Sequence, residues 1–512
     1  MEPIKFFGSQ IGGQDVTSHS YTGNPLTLMR DDIKLIARLT PYIPYILWPL
    51  KSTSSLCELA PTLLNAWSVF LHIILFCMQA SFMLSVPLWM LVPVWLVALG
   101  AAIFTVANSA VCYMLNGPRS KFYSDPKYAI ATDETRTEQW VFVNGITIGK
   151  HWLQSNIDRL ALTFGRPVMG VHNRTSGFLF DLIECLIQRN FDFAGGNVRT
   201  VYAAIKELLY DQSLDKVVMI LHSQGAIEGG MVLDWLLEEV PSDLLSKLEI
   251  YSFGNAARHF NNPHRSYKGE ERAFAASQKR RSWTILPTTQ TNGSNGRGNQ
   301  AVENNDIDNE RVIHHIEHYS HTEDFVARFG ILNFISPLST TAKSSPSCPR
   351  FMGRAFERVG SGHLLNMHYL DAMFPLRPAR SGNGGIGGSG FTGAKEENEF
   401  MEQKVEWAAT PSAFPGPNCR EGLEESAWAL GATINGVKNL DDDRDDASVS
   451  PRNNGHGKKG GLANGDGAYL KKMQGKKEYR VKDLSRLWQY RNGKKPVPDA
   501  VDLKNARMCS IK

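Results

Sequence analysis

Residues 59–118 form a run of 60 positions with no Asp, Glu, Lys or Arg. Within it, 66–84 and 86–106 are almost continuously apolar. A helix rising 1.5 Å per residue needs about 20 such residues to cross the hydrocarbon core of a bilayer. Ser85-Val86-Pro87 supplies a break, because proline cannot continue a helix without losing a hydrogen bond. The pattern predicts two membrane-spanning helices within 61–116. A hairpin at the surface of a soluble core would keep a polar face, which these stretches lack. The first residues, MEPIKFFGSQIGG, contain no apolar run, and the hydrophobic block begins too late for a cleaved signal peptide. Lys34, Arg38 and Lys51 precede the block, and Arg119, Lys121 and Lys127 follow it. Positive charge favours the cytosolic side, so both flanks belong there; two spans allow that and one span does not. The expectation is a multi-pass membrane protein, endomembrane rather than secreted, with its main domain in the cytosol.

The remainder of the 512 residues is of ordinary globular composition with a net charge of only +4, which gives no reason to expect nucleic acid as a partner. Seven scattered cysteines form no CxxC pair, as suits a reducing compartment. Residues 1–60 hold a short amphipathic run, 33–39, followed by Pro41, Pro44 and Pro49. That segment reads equally as an interfacial element or an exposed linker.

From 117 to 376 strand-like and helix-like runs alternate, the mark of an α/β fold with a mostly parallel, doubly wound sheet. Strands are expected at 139–144, 167–172, 216–221, 248–253 and 353–359, with another near 311–319. Helices are expected at 178–188, 197–209 and 226–240. The Asn-, Gly- and Ser-rich stretch 262–310 reads as an insertion. Residues 377–512 read as a low-complexity, largely disordered tail, with seven glycines in 381–394 and the acidic run DDDRDD at 441–446. Ten basic residues fall in 471–495, where Val481, Leu484, Leu487 and Trp488 share a helical face. That segment suits either anionic lipid or water.

The local chemistry concentrates at Val217-Val218-Met219-Ile220-Leu221-His222-Ser223-Gln224-Gly225-Ala226. A buried strand runs into a serine, then small residues, then a helical pattern: the strand–turn–helix context of a nucleophile elbow. Gly225 and Ala226 suit the tight turn, and Gly229 and Gly230 would let the helix approach the sheet. Here the chain resembles the α/β-hydrolase superfamily, especially its lipase- and serine-esterase-like branches, over roughly 138–376. Leu221 departs from the usual pattern, which has glycine two residues before the serine.

The resemblance implies an acid and then a histidine after the nucleophile. Asp324 in HYSHTEDFVARFG fits the acid, with Glu323 as its neighbour. His363 in ERVGSGHLLNMHYLDAMF fits the base, with His368 as the alternative. The resemblance also makes Ile146, after the strand and turn WVFVNG, one oxyanion amide and Gln224 the other. Two competing motifs are weaker. His314-His315-Ile316-Glu317-His318 spells an inverted zinc-protease motif, but its β-branched, aromatic setting argues against the helix that motif needs. The terminal Cys509-Ser510-Ile511-Lys512 fits a prenylation box poorly.

The sequence therefore predicts a membrane-anchored serine hydrolase of a carboxylic ester or lipid, with no metal or organic cofactor. The competing expectation is a catalytically silent membrane protein that uses the same fold as an interaction platform.

Overall fold

The computed structural model describes residues 2–7, 23–263, 265, 311–335, 351–380, 384–407 and 479–496. Most of the expected insertion, and residues 408–478 and 497–512 of the expected tail, lie outside the described residues.

The described strands are β1 (Ile4–Phe7), β2 (Lys121–Tyr123), β3 (Glu138–Val143), β4 (Val168–Val171), β5 (Lys216–His222), β6 (Leu248–Phe253), β7 (His315–His321), β8 (Arg354–Arg358), β9 (Leu376–Pro378), β10 (Phe391–Ala394) and β11 (Val405–Trp407). Nine of them form one sheet in the order β11-β1-β8-β7-β6-β5-β3-β4-β2, while β9 and β10 pair separately. The six strands from β4 to β8 across its middle run parallel. β2 lies antiparallel on β4, and β1 antiparallel on β8.

Parallel strands are covered on both faces, so β5 reads as the continuous apolar run VVMIL rather than an alternation. Met219 and Leu221 point to a core shared with Val201, Ile205, Val232 and Leu236. Val218 and Ile220 point to the opposite core, with Leu160, Phe164, Tyr369 and Phe374. The result is a three-layer mixed α/β arrangement.

The longer described helices are α1 (Pro25–Leu39), α2 (Leu63–Ser85), α3 (Val94–Asn116), α4 (Lys150–Phe164), α5 (Phe178–Phe191), α6 (Gly196–Tyr210) and α7 (Gly225–Glu239). α1 starts well before the expected 33–39, where the Asn24 side chain accepts from the Leu26 N–H at 2.9 Å. Helix α4 was not anticipated. Almost all its faces are buried, including the polar Asn156, Asp158 and Arg159, so it carries no clean amphipathic stripe. Arg159 reaches Asp371 at 3.2 Å.

α2 and α3 are each long and apolar enough to cross a membrane, which is consistent with membrane association. The second span is shifted from the expected 86–106. Pro87 and Pro93 bound a short non-α turn, and the helix resumes at Val94 and runs to Asn116. The polar residues inside the pair hold it to the sheet domain. Gln79 donates to the Ser176 carbonyl at 2.6 Å and to Asn108 at 3.0 Å. Asn116 exchanges hydrogen bonds with the Thr175 backbone at 2.7 and 3.1 Å. Asn65 accepts from the Trp152 indole at 3.0 Å.

The C-terminal expectation needs correction at both described pieces. Residues 384–407 contribute β10 and the edge strand β11, and bury Ala394, Phe400 and Met401 in the second core. Residues 479–496 neither lie free in water nor reach for lipid: Val481, Leu484, Leu487, Trp488 and Tyr490 close the same core. Arg486 is fully buried and donates to Glu249 Oε1 from Nε at 3.0 Å and Nη2 at 2.9 Å. Its backbone N–H donates to Glu317 at 2.8 Å. The apolar residues of this segment are visible in the sequence, but the sheet face they cover is built from residues far away in the chain.

Candidate active site

The C-terminal ends of β5, β6, β7 and β8 converge on Ser223. Strand β5 ends at His222 and α7 begins at Gly225, so the chain reverses within two residues. Ser223 takes φ +58°, a left-handed conformation unfavourable for a residue with a Cβ. The turn closes because its neighbours are small. A Cβ at Gly225 would lie 2.5 Å from the Val143 carbonyl oxygen, and one at Gly145 would lie 2.5 Å from Ser223 Cβ. Leu221 is accommodated by α7: a Cβ at Gly229 would meet the Leu221 side chain at 2.5 Å. Gly230, singled out beside it, has ordinary space around it, with its nearest neighbour at 3.6 Å.

Asp324 follows β7 and opens a short helix, where its Oδ1 accepts from the Val326 N–H at 2.8 Å. Its other oxygen accepts from His363 Nδ1 at 2.9 Å and from the Tyr369 hydroxyl at 2.6 Å. Burial pushes this carboxyl up. The electrostatic attraction of the neighbouring imidazole and the hydrogen bonds from His363 and Tyr369 outweigh that effect and hold it below its ordinary value. With Nδ1–H committed to Asp324, the lone pair of His363 lies on Nε2, which is buried and, among the described residues, without a hydrogen-bond partner. Ser223 Oγ is therefore not hydrogen-bonded to it here.

Two contacts fix the His363 ring beside the serine. The ring of His222, the residue before Ser223, stacks on that of His363 at 4.7 Å. His222 Nε2 also donates to the His363 carbonyl at 2.8 Å. Burial, then the neighbouring His363, takes the His222 imidazole down to about 3, so it stays neutral at physiological pH. The left-handed Gly254 after β6 leaves room for the pair, since a Cβ there would lie 2.8 Å from His363 and 2.9 Å from Asp324 Oδ2.

His368 occupies a different place. Its Nδ1 accepts from the Leu364 N–H at 3.0 Å and its Nε2 donates to the Pro49 carbonyl at 3.0 Å. Both ring nitrogens are engaged, and burial lowers its pKa. Glu323 is not the carboxylate that meets His363.

The loop after β3 runs against the serine. The Asn144 side chain donates to the carbonyls of Gly145 at 2.9 Å and Asn173 at 2.8 Å, and accepts from the Asn173 N–H at 2.9 Å. Thr147 N–H donates to Asp181 on α5 at 2.9 Å. Among the described residues, neither the Ile146 nor the Gln224 amide is taken up by a backbone hydrogen bond. The Gln224 side chain accepts from Asn173 at 2.8 Å and donates to Gln188 at 2.8 Å. Asn144, Asn173, His222 and Tyr369 are thus parts of the constellation that the sequence reading did not assign. His222 and Tyr369 each lie next to a residue that was singled out, but only contact reveals their part.

The zinc-protease spelling falls on β7, a strand, so its two histidines do not share a helical face. His318 is held by Ser252 at 2.6 Å and by the Met352 carbonyl at 2.9 Å. Among the described residues, no group of three or more His, Cys, Asp or Glu side chains could hold a metal ion.

Comparison of the chain with protein-family models, with curated proteins and with solved structures returns no match.

Proposed function

We propose that this is a membrane-bound serine hydrolase of the α/β-hydrolase type, acting on a carboxylic ester or lipid. The observation that carries the reading is the buried His363–Asp324 pair at 2.9 Å, with a free Nε2, beside a strained serine at the end of a central parallel strand. Parallel order across β4-β3-β5-β6-β7-β8 and the chain order Ser, Asp, His support the same class.

In the proposed cycle Ser223 Oγ attacks the ester carbonyl and its proton passes to His363 Nε2. Asp324 holds the imidazole in the required tautomer and stabilises the imidazolium. The Ile146 and Gln224 amides stabilise the developing oxyanion. The alkoxide departs with the proton from His363, leaving an acyl-serine. Water, deprotonated by the same imidazole, then releases the acid. The cycle needs no metal or organic cofactor. A Ser223–His363 hydrogen bond absent from the free enzyme can form when substrate binds.

That missing bond also favours the second reading, a silent interaction platform. Hydrolysis of a panel of carboxylic esters by the full chain in detergent, against its Ser223→Ala variant, separates the two. Turnover abolished by the substitution supports the enzyme. Equal rates for both proteins, or none for either, favour the platform.

In this reading α2 and α3 form the hairpin anchor, and basic flanks place the catalytic domain on the cytosolic side of an endomembrane.

A further inference from the structure

We propose that the outward face of α5 and the neighbouring segment 43–50 lie in the bilayer beside the hairpin, so that a membrane lipid reaches Ser223 without leaving the membrane. The proposal rests on the hydrolase reading and on α2 and α3 spanning the bilayer.

Helix α5 has two unlike faces. Asp181 and Gln188 turn inward, holding the Thr147 amide at 2.9 Å and the Gln224 side chain at 2.8 Å. Ile183, Ile187 and Phe191, spaced four apart, turn outward and are exposed, as is Phe178. Between Phe178 and Phe193 the only exposed charged residue is Asp192. A helix facing water would carry charge along that stripe.

The stripe continues the hairpin. Phe178 packs on Phe76 of α2 with ring centres 6.3 Å apart, and Phe180 on Phe104 of α3 at 5.8 Å. What covers the apolar sides of α2 and α3 therefore also covers α5. An α-helix with its side chains is about 10 Å across. The lipid-facing stripe is then roughly one helix width from the residue that follows the nucleophile.

Next to α5, where Ile46 packs in one cluster with Leu186, the Ile46 carbonyl accepts from the His363 N–H at 3.1 Å. The next two residues, Leu47 and Trp48, are about half-exposed. An exposed Trp at the rim suits the interfacial zone. Apolar surface thus lies close to both the serine and the histidine, which suits an acyl chain arriving from hydrocarbon.

The test uses the full chain in phospholipid nanodiscs containing a phosphatidylcholine with a diazirine in its acyl chain. After irradiation, adducts are mapped by peptide mass spectrometry. Adducts are expected on α2, α3, 178–193 and 43–50, with none on α6. Adducts confined to α2 and α3 would overturn the proposal and leave the stripe to a protein partner; no adducts anywhere would overturn the hairpin with it.

A second arm compares the Ile183→Asp/Ile187→Asp double variant with the wild type. Fluorophosphonate labelling and hydrolysis of a water-soluble short-chain ester should stay within about twofold. Hydrolysis of an ester lipid embedded in the nanodisc should fall at least about tenfold. Equal effects on both substrates, or none on either, would overturn the lipid route. A wild type inert to the fluorophosphonate would remove the catalytic reading and the lipid route, while the adduct map would still decide the bilayer face.

Discussion

Leu221 stands two residues before the serine, and its side chain fills the space that Gly229 leaves on α7. The departure from a glycine at that position is thus compensated one helical turn away, which a sequence window centred on the serine does not reveal. The strand and Gly-bearing turn before His363 favour it over His368 in the sequence, and the fold brings His363 to Asp324. His363→Ala should lower turnover by about a thousandfold or more, because only binding and the oxyanion amides remain. His368→Ala should cost far less; steady-state kinetics on one ester will rank them, and the reverse ranking would transfer the base. Gly254→Ala tests the packing beneath the pair. A Cβ at this left-handed position meets both His363 and Asp324 within 3 Å, so turnover should fall by roughly a hundredfold. Circular dichroism should remain unchanged, and an unaltered rate would show that the pair tolerates displacement.

The central strands were legible as short apolar runs bounded by turn residues, and α5 to α7 as longer helical patterns between them. Strand β6 spans the expected 248–253, and α7 differs from 226–240 by one residue at each end. The elements that escaped notice are short or buried all round: β1 and β11 have four and three residues, and α4 buries charge along with its apolar residues. Residues 479–496 escaped for another reason, since their role depends on partners far away in sequence. Glu249 shows what that segment supplies. Burial pushes its carboxyl up, but the charges of Arg486 and Lys216 outweigh this and hold it well below the ordinary glutamate range. A depressed carboxylate stabilises the fold above its unfolded pKa, near 4.5, and loses that contribution as pH falls through the folded value. Arg486→Ala leaves the buried Glu249 with less compensation, at a cost of about 3–5 kcal/mol near neutrality. The penalty should shrink as pH falls from about 4.5 towards the folded value of the wild type, because the unfolded chain takes up the proton first. Denaturant titrations at pH 7 and pH 4 will show it; a pH-independent difference would mean that Arg486 acts by packing alone. Deletion of 377–466, which composition alone would call harmless, removes β10, β11 and the buried Phe400 and Met401, and should lower the melting temperature markedly.

Across the whole molecule, the hairpin and the sheet domain meet through Gln79, Asn116 and Asn65, polar side chains that interrupt otherwise apolar helices. The apolar block announced the helices, and the prolines at 87 and 93 set where the second one begins. Which groups they dock against was not legible, because those partners lie 59 to 97 residues downstream. The same packing sharpens a topology test. The chain carries two N-glycosylation acceptor sequons, Asn173-Arg174-Thr175 and Asn292-Gly293-Ser294; Asn173 is buried and bonded through its side chain to Gln224 at 2.8 Å, so it should stay unmodified in any compartment. Asn292 lies outside the described residues and carries the test. A cytosolic domain leaves it unmodified, and a glycosidase-sensitive mobility shift lost in Asn292→Gln would place the domain in the lumen. The claim on which the other readings rest is that Ser223 is an activated nucleophile. Its most direct measurement is reaction of the intact, membrane-embedded protein with a fluorophosphonate, followed by peptide mapping of the adduct. The account predicts one covalent phosphonyl adduct, on Ser223, lost in Ser223→Ala and strongly slowed in His363→Ala. A folded wild-type protein that stays unlabelled, or an adduct that persists in Ser223→Ala, would contradict it.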